Sequence, residues 1–184
     1  MTTGISKTLK YNKQTDKLIT FAAGCFWGTE HIYLKHLGNK IIDGKVGYAN
    51  GSESLKDKPD SVSYERVKKG DTGFAEVYQI AYSPQNASLK EFVDFFFRIH
   101  DPTTANAQGP DQGTQYRSAI FAHSEEDLAE LKKLKEQWQP KWNNNIVTDV
   151  SLIDNFYDAE EYHQLYLNKH PSGYACPTHY VRDL

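Results

Sequence analysis

The chain has 184 residues, and its 24 Asp and Glu outnumber its 21 Lys and Arg, which gives a formal net charge of −3 with His neutral. An apolar share of 39% is enough for one hydrophobic core, so we expect a single domain over residues 18–184. The slightly acidic balance provides no broad basic surface for phosphate groups, which argues against nucleic acid and anionic membranes as partners.

The first segment, residues 1–17, contains four lysines but no arginine and no amphipathic stripe. This composition predicts a flexible N-terminal arm, with a mitochondrial address as the alternative. No apolar run precedes a small-residue cleavage site, and the longest apolar runs, such as 95–97, are too short to span a bilayer. We therefore expect a soluble protein of the cytoplasm.

The first half of the chain predicts a strand, a tight turn and a helix, followed by two more strands. The apolar run 18–23 ends at Gly24, and helical periodicity follows over 26–37. Residues 41–48 and 74–82 have the composition of strands. The polar stretch 49–73 between them is predicted to be either a functional loop or a disordered one.

The second half contains stronger helix signals. Ser88 and Glu91 form a capping-box pattern, and the helix that they begin should end near His100 because Pro102 disfavours a helical Asp101. A Gly-rich coil over 101–115 then precedes further elements. They are a strand at 118–123, a helix at 124–139, a strand at 146–153, a helix from Asp158 through Asn168, and an irregular tail. Strands separated by helices predict an α+β fold, a two-layer sandwich in which helices cover a mixed sheet and a coiled C-terminal tail follows.

Cys25 lies where the first strand turns into the first helix. Unpaired backbone N–H groups and the helix dipole at that position favour a thiolate, which is typical of a nucleophile. The alternative is a small buried residue that packs under the helix. Phe26 and Trp27 next to it could form the wall of an apolar pocket.

Cys176 is the only other cysteine, and two cysteines are too few for a disulfide scaffold, which indicates a reducing compartment. It lies in a Gly- and Pro-rich tail whose mobility would let its thiol reach an oxidised partner. A reversible disulfide with Cys25 is the preferred hypothesis, and an idle thiol is the alternative.

Glu76 shares the face of an alternating strand with several aromatic residues, or else points to solvent as a surface glutamate. Burial among those rings would raise its pKa and keep a proton available near neutral pH. Tyr48 and Tyr116 offer phenolic donors at the ends of elements.

Three other constellations carry less weight. Cys25 with His163 would suit a cysteine hydrolase only if the two side chains touched, and the sequence does not place them together. Glu160 with His163, and Cys176 with His179, each supply only part of a metal site, so we expect no metal.

The run Gly24-Cys25-Phe26-Trp27-Gly28 resembles the signature of the peptide methionine sulfoxide reductase A family. The resemblance extends from Leu18 to Cys176. Further matching segments are 46–48, 75–77, 100–103, 111–118 and 162–164.

The resemblance implies an oxidoreductase that repairs oxidised proteins and also reduces free methionine sulfoxide, with specificity for the S epimer. Cys25 would be the nucleophile and Glu76 the acid. Cys176 would form a disulfide with the resulting sulfenic acid, and external thioredoxin would reduce that disulfide without a bound cofactor. The resemblance implies that Tyr48 and Tyr116 donate hydrogen bonds to the sulfoxide oxygen. Phe26 and Trp27 would form the pocket for the methyl group of the substrate, and Asp111 would shape and hydrate the site. We expect a monomer.

Two positions depart from the family pattern. Phe74 stands where the family commonly has His, so Glu76 should be more desolvated, and Ala175 shifts the second thiol by one position. A two-cysteine thiol peroxidase is the rival enzyme hypothesis, since it shares the sulfenic acid and disulfide steps. A non-enzymatic binding module for methionine side chains is the third.

Overall fold

The protein's structure, a computed structural model, describes residues 3–184. Its strands are β1 (Lys17–Ala23), β2 (Asp43–Ala49), β3 (Ala75–Tyr82), β4 (Ala107–Gln108), β5 (Asp111–Gln112), β6 (Ser118–Ala122), β7 (Asp149–Leu152) and β8 (Phe156–Asp158). Its helices are α1 (Phe26–Leu37), α2 (Tyr64–Val67), α3 (Leu89–Ile99), α4 (Glu125–Trp138) and α5 (Tyr166–Lys169). No helix in this part of the chain is both long and apolar enough to cross a membrane.

Six strands form one sheet in the order β7-β6-β1-β3-β2-β8, and β4 pairs with β5 in a separate two-residue ladder. The β6–β7 pair is parallel, whereas the other pairs of the large sheet are antiparallel. The sheet is therefore mixed, which confirms the predicted α+β class. The central strands β1 and β3 carry the site, because Cys25 follows the end of β1 and Glu76 lies near the start of β3.

Helices α1, α3 and α4 cover one face of the large sheet. Large rings fill the layer between them, and Phe21 of β1 stacks between Tyr33 of α1 and Phe96 of α3 with centroid separations of 5.2 Å on each side. The capping box predicted for Ser88 and Glu91 is present at the start of α3. Burial of these rings removes large apolar areas from water, the main contribution to folding stability.

The predicted flexible arm comprises residues 1–17. Its residues 3–16 pack on the opposite face of the sheet without helix or strand, residues 1–2 lie outside the described part, and Lys17 begins β1. The Ser6 N–H donates to Gln79 Oε1 at 2.8 Å, and the side chain of Leu9 packs against Leu18. This segment therefore contacts the sheet directly.

The stretch 49–73 is ordered around a 3₁₀ turn at Pro59–Ser61 and the four-residue helix α2, whose N-cap is Ser63. Its two ends are joined by the hydrogen bond from Ser52 N–H to Thr72 O at 2.9 Å. The sequence leaves two interpretations open for this stretch, a functional loop and a disordered one. The structure describes it as a folded loop.

The predicted helix from Asp158 through Asn168 is wrong. Asp158 closes β8, a strand that the sequence did not predict, and its carboxylate accepts hydrogen bonds from residues 6–8 instead of capping a helix. A 3₁₀ turn at Glu161–His163 follows, and Leu165 then adopts a left-handed backbone with φ of 56°. The N–H of Leu165 donates to the buried Glu30 Oε1 at 2.9 Å, so a tertiary contact determines the chain path.

Candidate active site

Cys25 is the N-cap residue of α1, and the turn that leads to it depends on Gly24, whose φ is 88°. The sulfur of Cys25 faces the backbone N–H groups of Trp27 and Gly28, two of the free donors at the start of a helix. The residue is only 7% exposed. The fold therefore presents one buried thiol at the end of β1 beside helix donors.

Burial raises the pKa of the Cys25 thiol well above its ordinary value, and the charges of Glu76 and Asp111 raise it further. The N–H groups of Trp27 and Gly28 act in the opposite direction and do not compensate. The N–H groups at the helix start therefore favour the thiolate, as expected, although the pKa of the thiol in the free site is raised overall. The position in the fold is as predicted, but desolvation outweighs the helix dipole.

Glu76 lies on the helix-covered face of β3 and is 1% exposed. Its Oε1 accepts a hydrogen bond from the Phe26 N–H at 3.1 Å. Burial raises the pKa of Glu76 to about 8, the Phe26 N–H opposes that rise, and Asp111 adds to it. The expected burial and raised pKa are confirmed, so a proton is held on this carboxyl at neutral pH.

Tyr116 is the last residue of the 3₁₀ turn before β6. Burial raises the pKa of Tyr116, and the charges of Glu76 and Cys25 contribute. Tyr64 lies at the start of α2. Burial raises its pKa to about 12, and the charges of Glu76 and Cys25 contribute to this rise. Both phenols therefore lie close enough to the thiol and the carboxyl for these charges to act on them, and the Tyr64 ring also stacks on Trp27 with centroids 6.3 Å apart.

Tyr48 was predicted to be the second donor, but its hydroxyl is already committed. It pairs with Glu76 across the β2–β3 ladder, and its hydroxyl donates to Glu160 Oε1 at 2.9 Å. The other oxygen of Glu160 accepts from the Tyr64 N–H at 3.0 Å, so Tyr48 and Glu160 together hold the start of α2. Sequence reasoning missed Tyr64, although it is the only aromatic residue in the polar stretch 49–73.

The predicted aromatic wall consists mainly of Trp27, because the Phe26 side chain is fully buried. The Trp27 ring is half-buried and stacks on Tyr166 with centroids 3.8 Å apart and planes at 13°. Its indole N–H donates to His163 Nδ1 at 2.9 Å, so the neutral imidazole carries its proton on Nε2 and has no free nitrogen lone pair to act as a base toward Cys25. The hydrolase hypothesis therefore loses its base.

Cys176 is 3% exposed, and its sulfur lies 3.1 Å from Thr178 Oγ1 and 3.7 Å from the Gln108 carbonyl oxygen. The Gln108 side chain also packs against Gly24, where a Cβ atom would lie 2.7 Å from it. Gln108 of the β4–β5 hairpin thus contacts both the segment before Cys25 and Cys176 itself, and both cysteines are free thiols.

Asp111 of this hairpin accepts a hydrogen bond from the Tyr174 hydroxyl at 3.0 Å, which joins the tail to the site. Burial raises the pKa of Asp111, and the bond from Tyr174 opposes the rise. Within residues 3–184, no group of three or more His, Cys, Asp or Glu side chains is arranged to hold a metal ion.

The chain matches the family described as peptide methionine sulfoxide reductase over residues 17–183. It is 66% identical, over the full length of both chains, to a Saccharomyces cerevisiae protein named peptide methionine sulfoxide reductase. The crystal structure of Mxr1 from the same organism in reduced form superposes with a TM-score of 0.95 and 67% identity, covering 98% of this chain and 100% of that one. A structure of Mxr1 in complex with Trx2 matches with a TM-score of 0.71 and 49% identity over the same shares.

Proposed function

This chain belongs to the peptide methionine sulfoxide reductase family, and we propose that its Cys25 attacks the sulfur of the sulfoxide. The protein is an oxidoreductase that reduces methionine sulfoxide. The observation that carries our assignment is the hydrogen bond from the Phe26 N–H to Glu76 Oε1, which places a buried carboxyl next to the buried thiol of Cys25. Besides burial, the charges of both groups raise the pKa of Tyr64 and of Tyr116, which supports a position for these phenols close to them.

In the first step, the methyl and methylene groups of the substrate lie against the ring of Trp27. The hydroxyls of Tyr64 and Tyr116 donate hydrogen bonds to the sulfoxide oxygen. As the sulfur of Cys25 bonds to the substrate sulfur, Glu76 gives a proton to that oxygen, which develops negative charge. The oxygen then moves from the substrate sulfur to the Cys25 sulfur: the substrate S–O bond and the new S–S bond break, and an S–O bond forms on Cys25. One electron pair stays on the substrate sulfur, so the products are methionine, reduced by two electrons, and a sulfenic acid on Cys25.

In the second step, the sulfur of Cys176 attacks the sulfur of the Cys25 sulfenic acid. An S–S bond forms, the S–O bond breaks, and the oxygen leaves as water with the proton of the attacking thiol. We propose thioredoxin as the dithiol that reduces this disulfide, which is supported by the complex of the related Mxr1 with Trx2.

We also propose that free and protein-bound methionine S-sulfoxide are the substrates, as the family resemblance implies. We also propose that the protein is a monomer of the cytoplasm, and the free thiols at both cysteines fit a reducing compartment. These assignments give the enzyme the role of protein repair under oxidative stress.

The test is methionine formation from separated S and R sulfoxide epimers with excess thioredoxin, compared between the wild type, Cys25→Ser and Cys176→Ser. We expect methionine from the S epimer only, catalytic in the wild type, stoichiometric in Cys176→Ser and absent in Cys25→Ser. Turnover by Cys25→Ser would refute the proposed nucleophile.

The rival thiol peroxidase requires a thiolate that peroxide can reach. Cys25 is buried, and burial raises its pKa, which favours the less reactive thiol. Rapid consumption of hydrogen peroxide without sulfoxide would restore that hypothesis. A mere binding module would retain methionine sulfoxide affinity and biological effect in Cys25→Ala.

A further inference from the structure

The C-terminal tail is attached to the body of the protein only a few residues from both cysteines. His179 Nε2 lies 2.6 Å from the carbonyl oxygen of Ala23, two residues before Cys25. His179 is also three residues after Cys176, and its backbone N–H donates to the Cys176 carbonyl at 3.0 Å. One side-chain hydrogen bond therefore connects the two cysteine-bearing segments by a short path.

The body is shaped to receive this imidazole. A Cβ atom on Gly28 would lie 2.1 Å from His179 Nδ1, and one on Gly24 would lie 3.8 Å from Nε2. Burial lowers the pKa of His179 to about 4, so the ring is neutral at physiological pH and its Nε2–H donates to Ala23. Gly28 in particular leaves the room that the ring fills.

Before Cys176, the tail is attached by the hydrogen bond from the Tyr174 hydroxyl to Asp111. After His179, its next attachment is at Arg182. Arg182 and Arg98 exchange two hydrogen bonds, with Arg182 N–H to Arg98 O and Arg98 Nε–H to Arg182 O both at 2.8 Å. The guanidinium of Arg182 also lies over the ring of Trp142 at 5.7 Å. Without His179, the free segment after Cys176 would extend to Arg182, which is about twice as long.

We propose that His179 is a positioning residue for disulfide formation: it holds the tail so that the Cys176 thiol meets the sulfenic acid on Cys25. The inference rests on the roles proposed above for the two cysteines. The hydrogen bond of the imidazole goes to the Ala23 carbonyl and not to the sulfur of either cysteine, so the proposed role acts through the position of the tail. Methionine formation, which precedes this step, should not depend on it.

The size of the effect follows from the length of the tether. Doubling the free segment lowers the effective concentration of its thiol by roughly threefold. Loss of a hydrogen bond of ordinary strength also makes the docked position of the tail less populated. The decrease in effective concentration can then reach about tenfold. The rate of disulfide formation should therefore fall by about three- to tenfold in His179→Ala.

The experiment mixes reduced enzyme with excess methionine sulfoxide in the absence of thioredoxin and quenches the reaction over time. Methionine is measured by chromatography, the sulfenic acid by dimedone labelling, and the disulfide by mass spectrometry. The variants are His179→Ala, His179→Gln, His179→Asn and, as a matched control on the exposed far end of α1, His36→Ala.

We expect the methionine burst to be unchanged in all four variants. Disulfide formation should slow, and sulfenic acid should accumulate, in His179→Ala and His179→Asn. His179→Gln should remain within about twofold of wild type, because its amide N–H occupies the place of Nε2, whereas that of Asn corresponds to Nδ1. His36→Ala should match the wild type.

Disulfide formation that is unchanged or faster in His179→Ala would overturn the proposal, as would equal slowing of both steps, which indicates a general structural defect. If His179→Ala fails to fold, the comparison of Gln with Asn decides, and equal disulfide rates in those two would refute the role of the Nε2 donor. Failure of the proposed function looks different, because the wild type itself would then form no methionine or no disulfide between Cys25 and Cys176.

Discussion

The rate of methionine formation in a single turnover should rise with pH up to about 8 and then level off. The proposed attack requires Cys25 as thiolate and Glu76 as acid, a state in which the pair holds one proton. Burial raises the pKa of Glu76 to about 8 and that of Cys25 well above its ordinary value. Below pH 8 the pair therefore carries two protons, and the reactive state is scarce.

The magnitude follows from the pKa of about 8. The fraction of enzyme with one proton on the pair is about 1% at pH 6, about 9% at pH 7 and about half at pH 8. The rate should therefore rise by about tenfold from pH 6 to pH 7 and by about fivefold from pH 7 to pH 8. Above pH 8 the proton is shared between the two groups, mostly on Cys25, and the rate should stay level until the thiol itself ionises.

Glu76→Gln separates the contribution of the Glu76 proton from that of the Cys25 thiolate. The side-chain oxygen of Gln can still accept the hydrogen bond from the Phe26 N–H. The amide has no proton to give, so the rate at neutral pH should fall by about 10²- to 10⁴-fold. The remaining rate should follow the Cys25 thiolate and keep rising above pH 8. Loss of the nearby carboxylate also removes one cause of the raised pKa of Cys25.

The assay is rapid quenching with enzyme in excess over methionine S-sulfoxide from pH 6 to pH 9. Both forms carry Cys176→Ser so that the reaction stops after the first step. The reasoning would be refuted by a wild-type rate that is flat over this range, or by a Glu76→Gln rate within about threefold of the parent at neutral pH.

Cys176→Ser is expected to yield one methionine per enzyme even with thioredoxin present, and to end as a Cys25 sulfenic acid that dimedone labels; repeated turnover would contradict the assigned role. Tyr64→Phe should slow the first step by about 10- to 100-fold in the quenched assay, because it removes a donor to the developing oxyanion. Tyr48→Phe should leave that rate nearly unchanged but lower the free energy of unfolding by about 1 kcal/mol through loss of its bond to Glu160, as urea titration would show. Burial raises the pKa of Glu30 from about 4.5 to about 7, because the fold favours the neutral carboxyl. The resulting contribution to the free energy of unfolding is complete below about pH 4.5 and is lost as the pH rises through about 7. Urea titrations at pH 5 and pH 8 should therefore show a larger loss of stability in the wild type than in Glu30→Gln.

Local patterns were sufficient to predict the elements whose determinants lie within a few residues. The capping box of Ser88 and the glycine turn before Cys25 are such signals, and both elements are present where expected. The Asp158 pattern failed because its carboxylate instead binds residues 6–8, which lie about 150 positions away in sequence. A polar residue that caps a helix and one that binds a distant backbone N–H look the same in a sequence.

The site could be predicted in part for the same reason. Cys25 and Glu76 follow from a turn and from strand alternation, which are local features. The choice between Tyr48 and Tyr64 depends on where Glu160 lies, and Glu160 reaches both residues only after β8 pairs with β2. The direction of the Cys25 pKa shift also depends on the tertiary structure, because it is set by the burial of Cys25 and by the positions of Glu76 and Asp111.

The raised pKa of Cys25 fits a sulfoxide reductase better than it fits a peroxidase. Peroxide reacts with a thiolate already present, so a resting thiol lowers that rate at neutral pH. In the proposed mechanism a bound sulfoxide differs, because its oxygen takes up a proton from Glu76 in the step that forms the bond to sulfur. The same burial that suppresses the free thiolate also keeps Glu76 protonated, so one cause both protects the nucleophile and supplies the acid. Discrimination between the two oxidants then follows from the position of the proton rather than from an unusually reactive sulfur.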